Sequence, residues 1–472
     1  MSNPDLLCSA ALWAAQEMGQ VQLGDRRRTQ RLVTVTSTLA QNPNGTLPTT
    51  FTEWKDLRAA YRLFAEPDVT HAAIAAPHFG RVGQACQAPG QYLLVEDTTT
   101  LSFNTHAPTA DLGPVNDQDG RGFLVHNTLT LRVANWDPDQ VPIVTVLGLA
   151  GQHCWSRPKV ALTRKQKAKA GRLARKRESA RWAATLQPWP LAPVGVQWIY
   201  VADRESDIYE VFDRCAAREA DWVIRAAQAR ALLAEDRSVF AAVAQAPVRG
   251  RLAVELRARP GQPARTMRMA LRACTITLRG PWRPGGQLAP RTMQVVEVRE
   301  VDPPVGTPPM VWVLLTSLPI RTLAQIKRIV GCYTQRWLVE EFHKALKSGT
   351  QVEASQLATG RALQALCAVL SLVALRLLET KLYARAFPDA PVRPGQFAPE
   401  LIRLLAVKLG CPPGGWTQRT VWRGIARCGG FLARKGDGEP GWLTIWRGWR
   451  KLLTMVEGVA LYRKKTRKQC GK

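Results

Sequence analysis

The stretch VQWIYVADRESD, residues 196–207, decides how the chain is read. Val196 to Ala202 is a short apolar run rich in β-branched and aromatic residues, so it reads as a buried strand, and it stops at Asp203. Upstream, Tyr92-Leu93-Leu94-Val95 stops the same way at Glu96-Asp97, in VEDTTT. Between the two, Phe123 to Val133 alternates through Leu124, His126, Thr128, Thr130 and Arg132, and Val141 to Leu149 is almost continuously apolar. A very basic stretch, Arg164 to Arg181, then reads as a helix. Strands, a crossover helix and a further strand predict an α/β fold, a mixed sheet with helices on its faces. After DWVIR (221–225) the chain is strand-rich to about Leu315, divided by Pro and Gly clusters near 259–264, 281–286 and 303–309. This predicts a β insertion (about 227–318) inside the main fold.

The chain has 472 residues, 46% hydrophobic and 22% charged, enough apolar material to exclude whole-chain disorder. At roughly 100 to 200 residues per domain, two to four domains are expected. The formal charge is +28 and the isoelectric point about 10.3, which points to a polyanionic partner, nucleic acid first. A membrane surface would need an anchor. The first ten residues lack a basic-then-apolar signal pattern, and the longest apolar run, Ala365 to Leu375, is well short of the ~20 residues that span a bilayer. A soluble, cytoplasmic protein without a membrane partner is expected. Ten cysteines with no C-x-x-C pair argue against a disulfide scaffold or a structural zinc site. Neither a P-loop nor a nucleotide-binding glycine motif follows a strand.

Both ends read as helical. Asp25 precedes Arg26, Arg27, Arg28 and Arg31, with Leu32, Val35 and Leu39 inward, so Asp25 is placed to cap a helix whose first turns carry the arginines. Arginines at a helix start oppose the macrodipole, a local cost better explained by phosphate contacts than by helix stability. A second helix carries Arg58, Tyr61 and Arg62. Beyond Thr322 one long helix is expected towards Lys347, then helices from about Leu357 to Ala386, a proline-rich break at 387–397 and a tryptophan-rich helical segment.

Asp97 and Asp203 end buried strands, and strand ends in a parallel pairing converge on one edge of a sheet. Two carboxylates a few ångströms apart repel unless a divalent cation holds them. Capping or a salt bridge is the ordinary role of an aspartate there. Tyr333, Arg336, Glu340 and Lys347 lie at i, i+3, i+7 and i+14, within an arc of roughly 60° on an ideal helix. Glu340 thus shares a stripe with an arginine and a lysine. Glu341 is turned by about 100° and should face elsewhere. An exposed helix with ordinary ion pairs has the same spacing.

The segments LGDRRRTQRL (23–32), AAYRLF (59–64), VEDTTTLSF (95–103), ADRESDIY (202–209), YTQRWLVEEFHKALKSG (333–349) and GGFL (429–432) together resemble one family. It is the bacterial cut-and-paste DDE transposases of the insertion-sequence-four family, the branch typified by the transposon-five transposase. The resemblance implies an RNase H-like (retroviral-integrase) core at 71–368, an N-terminal helical DNA-binding domain at 1–70 and a C-terminal helical dimerisation domain at 369–472. It implies Asp97, Asp203 and Glu340 as an acidic triad binding two Mg²⁺ ions, with Mn²⁺ able to substitute. Tyr333, Arg336 and Lys347 would hold DNA phosphate. Trp312 and Trp337 would trap a flipped base and Arg225 would stand at the hairpin-processing site. Arg27, Arg28, Arg31 and Arg62 would recognise transposon ends. A Trp flanked by Val311, Val313 and Leu314 is equally at home in a core.

The partners implied are double-stranded DNA and a second copy of the chain in a synaptic complex. Leu452, Leu453, Val456, Val459 and Ala460 offer an apolar face for that copy or for internal packing. The basic 164–181 stretch and RKKTRK (463–468) are either DNA-tracking or solvated. The competing reading is a DNA-binding factor that keeps the fold without transposing. It leaves three metal-poised carboxylates without a use.

Overall fold

A parallel trio of strands holds the centre of the molecule. The computed structural model describes residues 8–104, 109, 111–115, 120–137, 142–157, 178, 180–185, 189–234, 237–256, 264–283, 285–434 and 437–469. Within them the strands are β1 (Gly90–Ser102), β2 (Gly113–Pro114), β3 (Arg121–Asn135), β4 (Ile143–Trp155), β5 (Val196–Ala202), β6 (Asp221–Arg225), β7 (Val248–Leu256), β8 (Arg265–Leu278), β9 (Trp282–Arg283), β10 (Gly286–Gln287), β11 (Arg291–Val301) and β12 (Val311–Thr316). Ten form one sheet in the order β2-β3-β1-β5-β6-β12-β11-β8-β7, with β4 on the far side of β3; β9 and β10 form a separate hairpin. β1, β5 and β6 run parallel and their neighbours antiparallel. The fold is the mixed α/β arrangement the sequence predicts, with helical regions at both ends. The insertion does not stand apart: β12 pairs with β6, and β11, β8 and β7 extend the same sheet.

Strand parity divides the core. Leu93, Val95, Ile199, Val201 and Val223 belong to one apolar cluster, and Tyr92, Leu94, Trp198, Tyr200, Trp222 and Ile224 to the other. Successive residues of a strand point to opposite faces, so a parallel trio buried on both sides must be apolar throughout. Asp97 and Asp203 continue the first set, and that face is covered by helices.

Those helices are Leu323–Thr334, Trp337–Lys344 and the 27-residue Gly360–Ala386, joined in the same cluster by the N-terminal helices Ala10–Met18, Arg26–Gln41 and Trp54–Ala65. Asp25 caps the second of these by accepting from the Arg27 N–H at 2.8 Å. Arg361 fastens the region to the long helix through the carbonyls of Ala65 at 2.8 Å and Glu66 at 2.7 Å. Gly360–Ala386 is long and apolar enough to cross a membrane, yet 83% of its most apolar window is buried in the fold, so it is a core helix. The expected boundary at 368/369 falls inside it. The C-terminal helices are Pro399–Leu409, Gln418–Cys428 and Trp442–Gln469. Trp442, Trp446 and Leu452 are buried within the chain, whereas Met455, Leu461 and Tyr462 remain exposed. Most of the basic 164–181 stretch lies outside the described residues, as do the side chains of Lys464–Lys468.

Two sequence expectations need correcting: β1 does not stop at Asp97 but continues to Ser102, held by β3, and the helix after Thr322 is not continuous. The helix beyond Thr322 is interrupted at Gln335 and Arg336. There the N–H groups of Gln335, Arg336, Leu338 and Val339 each bond to the carbonyl three residues back. This is 3₁₀ tightening, in which residues i and i+3 eclipse. It stacks Arg336 against Tyr333, the guanidinium carbon 5.9 Å from the ring centre. The helix then ends in a wider π turn, Ala345–Gly349, which carries Lys347.

Candidate active site

The register of β1 against β5 pairs Glu96 with Ala202, so Asp97 and Asp203 follow side by side where the parallel pairing ends; β5 stops there, whereas β1 runs on against β3 to Ser102. Each carboxylate is steadied by its own backbone: Asp97 Oδ1 accepts from the Thr98 N–H at 2.8 Å, and Asp203 Oδ1 from the Arg204 N–H at 2.8 Å. The Tyr333 hydroxyl donates to Asp203 Oδ1 at 3.2 Å.

Arg336 joins the three acids. Its guanidinium lies 3.6 Å from Asp97 Oδ2 and 4.0 Å from Asp203 Oδ2, and makes a short hydrogen-bonded ion pair with Glu340. Glu340, one turn along, is thereby brought to the two aspartates, while Arg225 approaches Asp203 Oδ1 at 3.9 Å from β6. Burial pushes the Asp97 carboxyl up to about 6; the Thr98 N–H and the Arg336 charge oppose this, and the charges of Glu205 and Glu340 add to it. Hard oxygen donors of this kind suit hard divalent cations such as Mg²⁺, Mn²⁺ or Ca²⁺. As they stand the acids are spread about the guanidinium, and among the described residues no three acidic, histidine or cysteine side chains are close enough to hold an ion. By its chemistry, three carboxylates gathered at one place, the donor set fits a hard divalent cation.

The aromatic candidates flank this centre. Trp312, half-buried on β12, meets the Tyr333 ring edge-on at 5.1 Å. Burial, first, and the Asp203 charge push the Tyr333 hydroxyl up to about 12, so it stays a donor. Trp337 is half exposed, with Lys344 Nζ 4.1 Å above its ring. Lys347 is half-buried beside His343, whose pKa burial, above all, lowers to about 3. The N-terminal arginines divide. Arg62 is exposed, as is Arg27, which folds back on its helix-capping Asp25 at 2.9 Å; Arg31 pairs with Asp56 at 3.3 Å, and Arg28 is spent on Glu66, on Asp68 at 2.8 Å and on the Leu23 carbonyl at 3.1 Å.

Two supports escaped the sequence reading. Glu96, fully buried on the opposite face, accepts from Tyr200 at 2.7 Å and Thr128 at 2.8 Å and pairs with His126 at 3.0 Å, pinning β1 to its neighbours. Its partners lie 30 and 104 residues away, and no local spacing announces them. Glu341 faces away from the site, as the helix period predicts, onto Lys381 at 2.5 Å and the Trp442 indole N–H at 3.0 Å. It ties the Glu340 helix to the long core helix and to the start of the C-terminal helix.

Comparison with known families gives three matches in chain order. Residues 10–69 match a transposase DNA-binding domain, 174–376 a transposase DDE domain, and 404–468 a transposase Tn5 dimerisation domain. The chain belongs to the Tn5-like DDE transposases. The transposase's partners are accordingly DNA and a second copy of itself, and its DDE domain is of a kind that uses divalent metal ions. The DDE match takes in Asp203 and Glu340 but begins downstream of Asp97. It is the parallel register of β1 and β5 that sets Asp97 beside them.

Proposed function

We propose that this transposase excises and inserts its element by a cut-and-paste route: nicking, hairpin formation, hairpin opening and strand transfer, all at the Asp97–Asp203–Glu340 site. The observation that carries this reading is the convergence of the three carboxylates on Arg336 from two parallel strands and one helix. Two Mg²⁺ ions held by the triad would activate the attacking water or 3′-hydroxyl and stabilise the leaving oxygen. Tyr333, Arg336 and Lys347 grip the phosphates flanking the scissile bond. Trp312 and Trp337 take up an unstacked base, as hairpin formation demands, and Arg225 steadies the strand beside Asp203. In this reading residues 1–70 grip one transposon end while the partner copy cuts it, the dimer contact lying in the C-terminal helices. The protein then works in the bacterial cytoplasm, on the nucleoid.

The test is incubation of the full chain with labelled duplexes of its own element ends and Mg²⁺, resolved on a denaturing gel. A nick followed by a hairpin supports the route. Double-strand breaks that never pass through a hairpin would replace it with direct cutting of both strands.

End recognition gives a separate prediction. Arg27→Ala and Arg62→Ala, each exposed, should weaken end binding and each flatten the plot of log affinity against log salt by about 1. Arg28→Ala should instead lower the melting temperature, because its partners are Glu66 and Asp68. Filter binding at several salt concentrations, with thermal melts alongside, distinguishes the two classes.

A further inference from the structure

We propose that Arg336 is the internal counter-cation of the acidic site, and that DNA phosphate draws it off, so that DNA and divalent cation bind cooperatively. The proposal rests on the reading of the triad as a metal site. Among the described residues, Arg336 is the one cation ion-paired with Asp97 or Glu340, and it shares Asp203 with Arg225 alone. Its side chain is 14% exposed and backed by the Tyr333 ring, so it sits inside the cluster of acids. A guanidinium and a divalent ion compete for the same three carboxylates, and like charges cannot share so small a space. Removal of Arg336 from the acids therefore has to accompany metal entry.

Phosphate is the ligand that can accept it. The planar fork of a guanidinium matches a phosphate as well as a carboxylate, and a DNA strand supplies phosphates at the mouth of the site. Arg336 stands at the junction of two helices, its backbone already helical, so torsions along its own side chain suffice to move it. Once it binds phosphate, Asp97 and Glu340 lose their cation and Asp203 keeps only Arg225 at 3.9 Å, so the appetite of the three for a cation rises. By linkage, DNA then tightens the metal by the same factor by which the metal tightens DNA. A free transposase thus keeps its acids quenched, and DNA arms it.

The experiment titrates Mn²⁺ into the full-length protein, following free Mn²⁺ by electron paramagnetic resonance, with and without a pre-cleaved end duplex and with the DNA-only signal subtracted. For the wild type, DNA should tighten Mn²⁺ about tenfold or more. Arg336→Gln without DNA should already bind Mn²⁺ about tenfold more tightly than the wild type, and should lose most of the further gain from DNA. Arg336→Lys keeps the charge and should stay near the wild type. If Arg336→Gln binds Mn²⁺ no more tightly than the wild type while Asp203→Asn removes the site in both, the counter-cation role is wrong and the triad stands. If Asp203→Asn leaves Mn²⁺ binding unchanged, the metal reading falls and takes the proposal with it. Should Arg336→Gln fail to fold, the wild type decides: equal DNA affinity in EDTA and in Mn²⁺ overturns the coupling.

Discussion

Glu340→Gln is expected to lose about 10³-fold or more of end-DNA cleavage while end binding stays within a few-fold of the wild type. The magnitude follows from the several kcal/mol that metal-borne charge stabilisation contributes to phosphoryl transfer, at 1.36 kcal/mol per decade. Binding survives because the contacts assigned to end recognition lie on the N-terminal helices. Asp97→Asn and Asp203→Asn should behave alike, and single-turnover gels beside filter binding measure both quantities. Asp97→Asn has a further consequence. Burial and the neighbouring acids raise the Asp97 carboxyl to about 6, so the folded protein carries an unfavourable charge there at neutral pH. The sign is that of a raised acid: folding is favoured below about 4 relative to above 6, since the folded state holds its proton over the wider range. The metal-free Asp97→Asn protein should therefore melt no lower than the wild type at pH 8, while being inactive.

Glu341→Ala should destabilise the protein by about 3–5 kcal/mol, the cost of leaving a buried charge without its partner. Lys381 is buried, with Glu341 at 2.5 Å and its ammonium 4.1 Å above the Trp442 ring. Burial pushes the Glu341 carboxyl up, but Lys381 and then Lys344 outweigh it and hold it at about 2. Burial, chiefly, lowers Lys381 to about 8. The two shifts are similar in size and opposite in effect at neutral pH, so the intact pair contributes little net stability. Breaking it is what costs. Glu341→Met combined with Lys381→Met should recover most of the loss, a non-additivity that a double-mutant cycle of thermal melts reads directly. The stabilisation from the depressed Glu341 is complete above about 4.5 and is lost as the pH falls towards 2. Adjacent glutamates thus have unlike roles: Glu340 faces the acids and Arg336, and Glu341 holds their helix to the C-terminal region.

Much of this was legible in the sequence, for identifiable reasons. Two apolar runs meeting an aspartate announce buried strands with a carboxylate where their mutual pairing stops, and the intervening crossover makes that pairing parallel; that β1 runs on past Asp97 to Ser102 depends on β3, which no local pattern shows. The helix period separated Glu340 from Glu341 correctly. It failed to show the 3₁₀ turn at 335–339, because a period assigns a face and is blind to one tightened turn. For the same reason it placed Arg336 and Lys347 on a phosphate stripe without revealing that the arginine turns onto the acids. Sheet order was out of reach: nothing local in MVWVLLTS says that it lies between DWVIR and β11. The C-terminal apolar face was visible too, but amphipathicity cannot distinguish an internal neighbour from a second copy: of Leu452, Leu453, Val456, Val459 and Ala460, Leu452 alone is buried within the chain. Arg28 and Arg27 look identical in a run of three arginines; only the fold brings Glu66 and Asp68 to one of them.

Whether the three carboxylates hold divalent ions against the scissile phosphate is read out by sulfur substitution. A transposon-end duplex carrying a single phosphorothioate at the cleavage position offers a soft atom where the hard Mg²⁺ ion requires oxygen, and Mn²⁺ tolerates sulfur better. One diastereomer should be cut slowly in Mg²⁺ and recover in Mn²⁺, and Glu340→Gln should abolish the recovery. Equal cleavage of both diastereomers in both metals, or recovery that persists in Glu340→Gln, would contradict a metal-holding role for the triad.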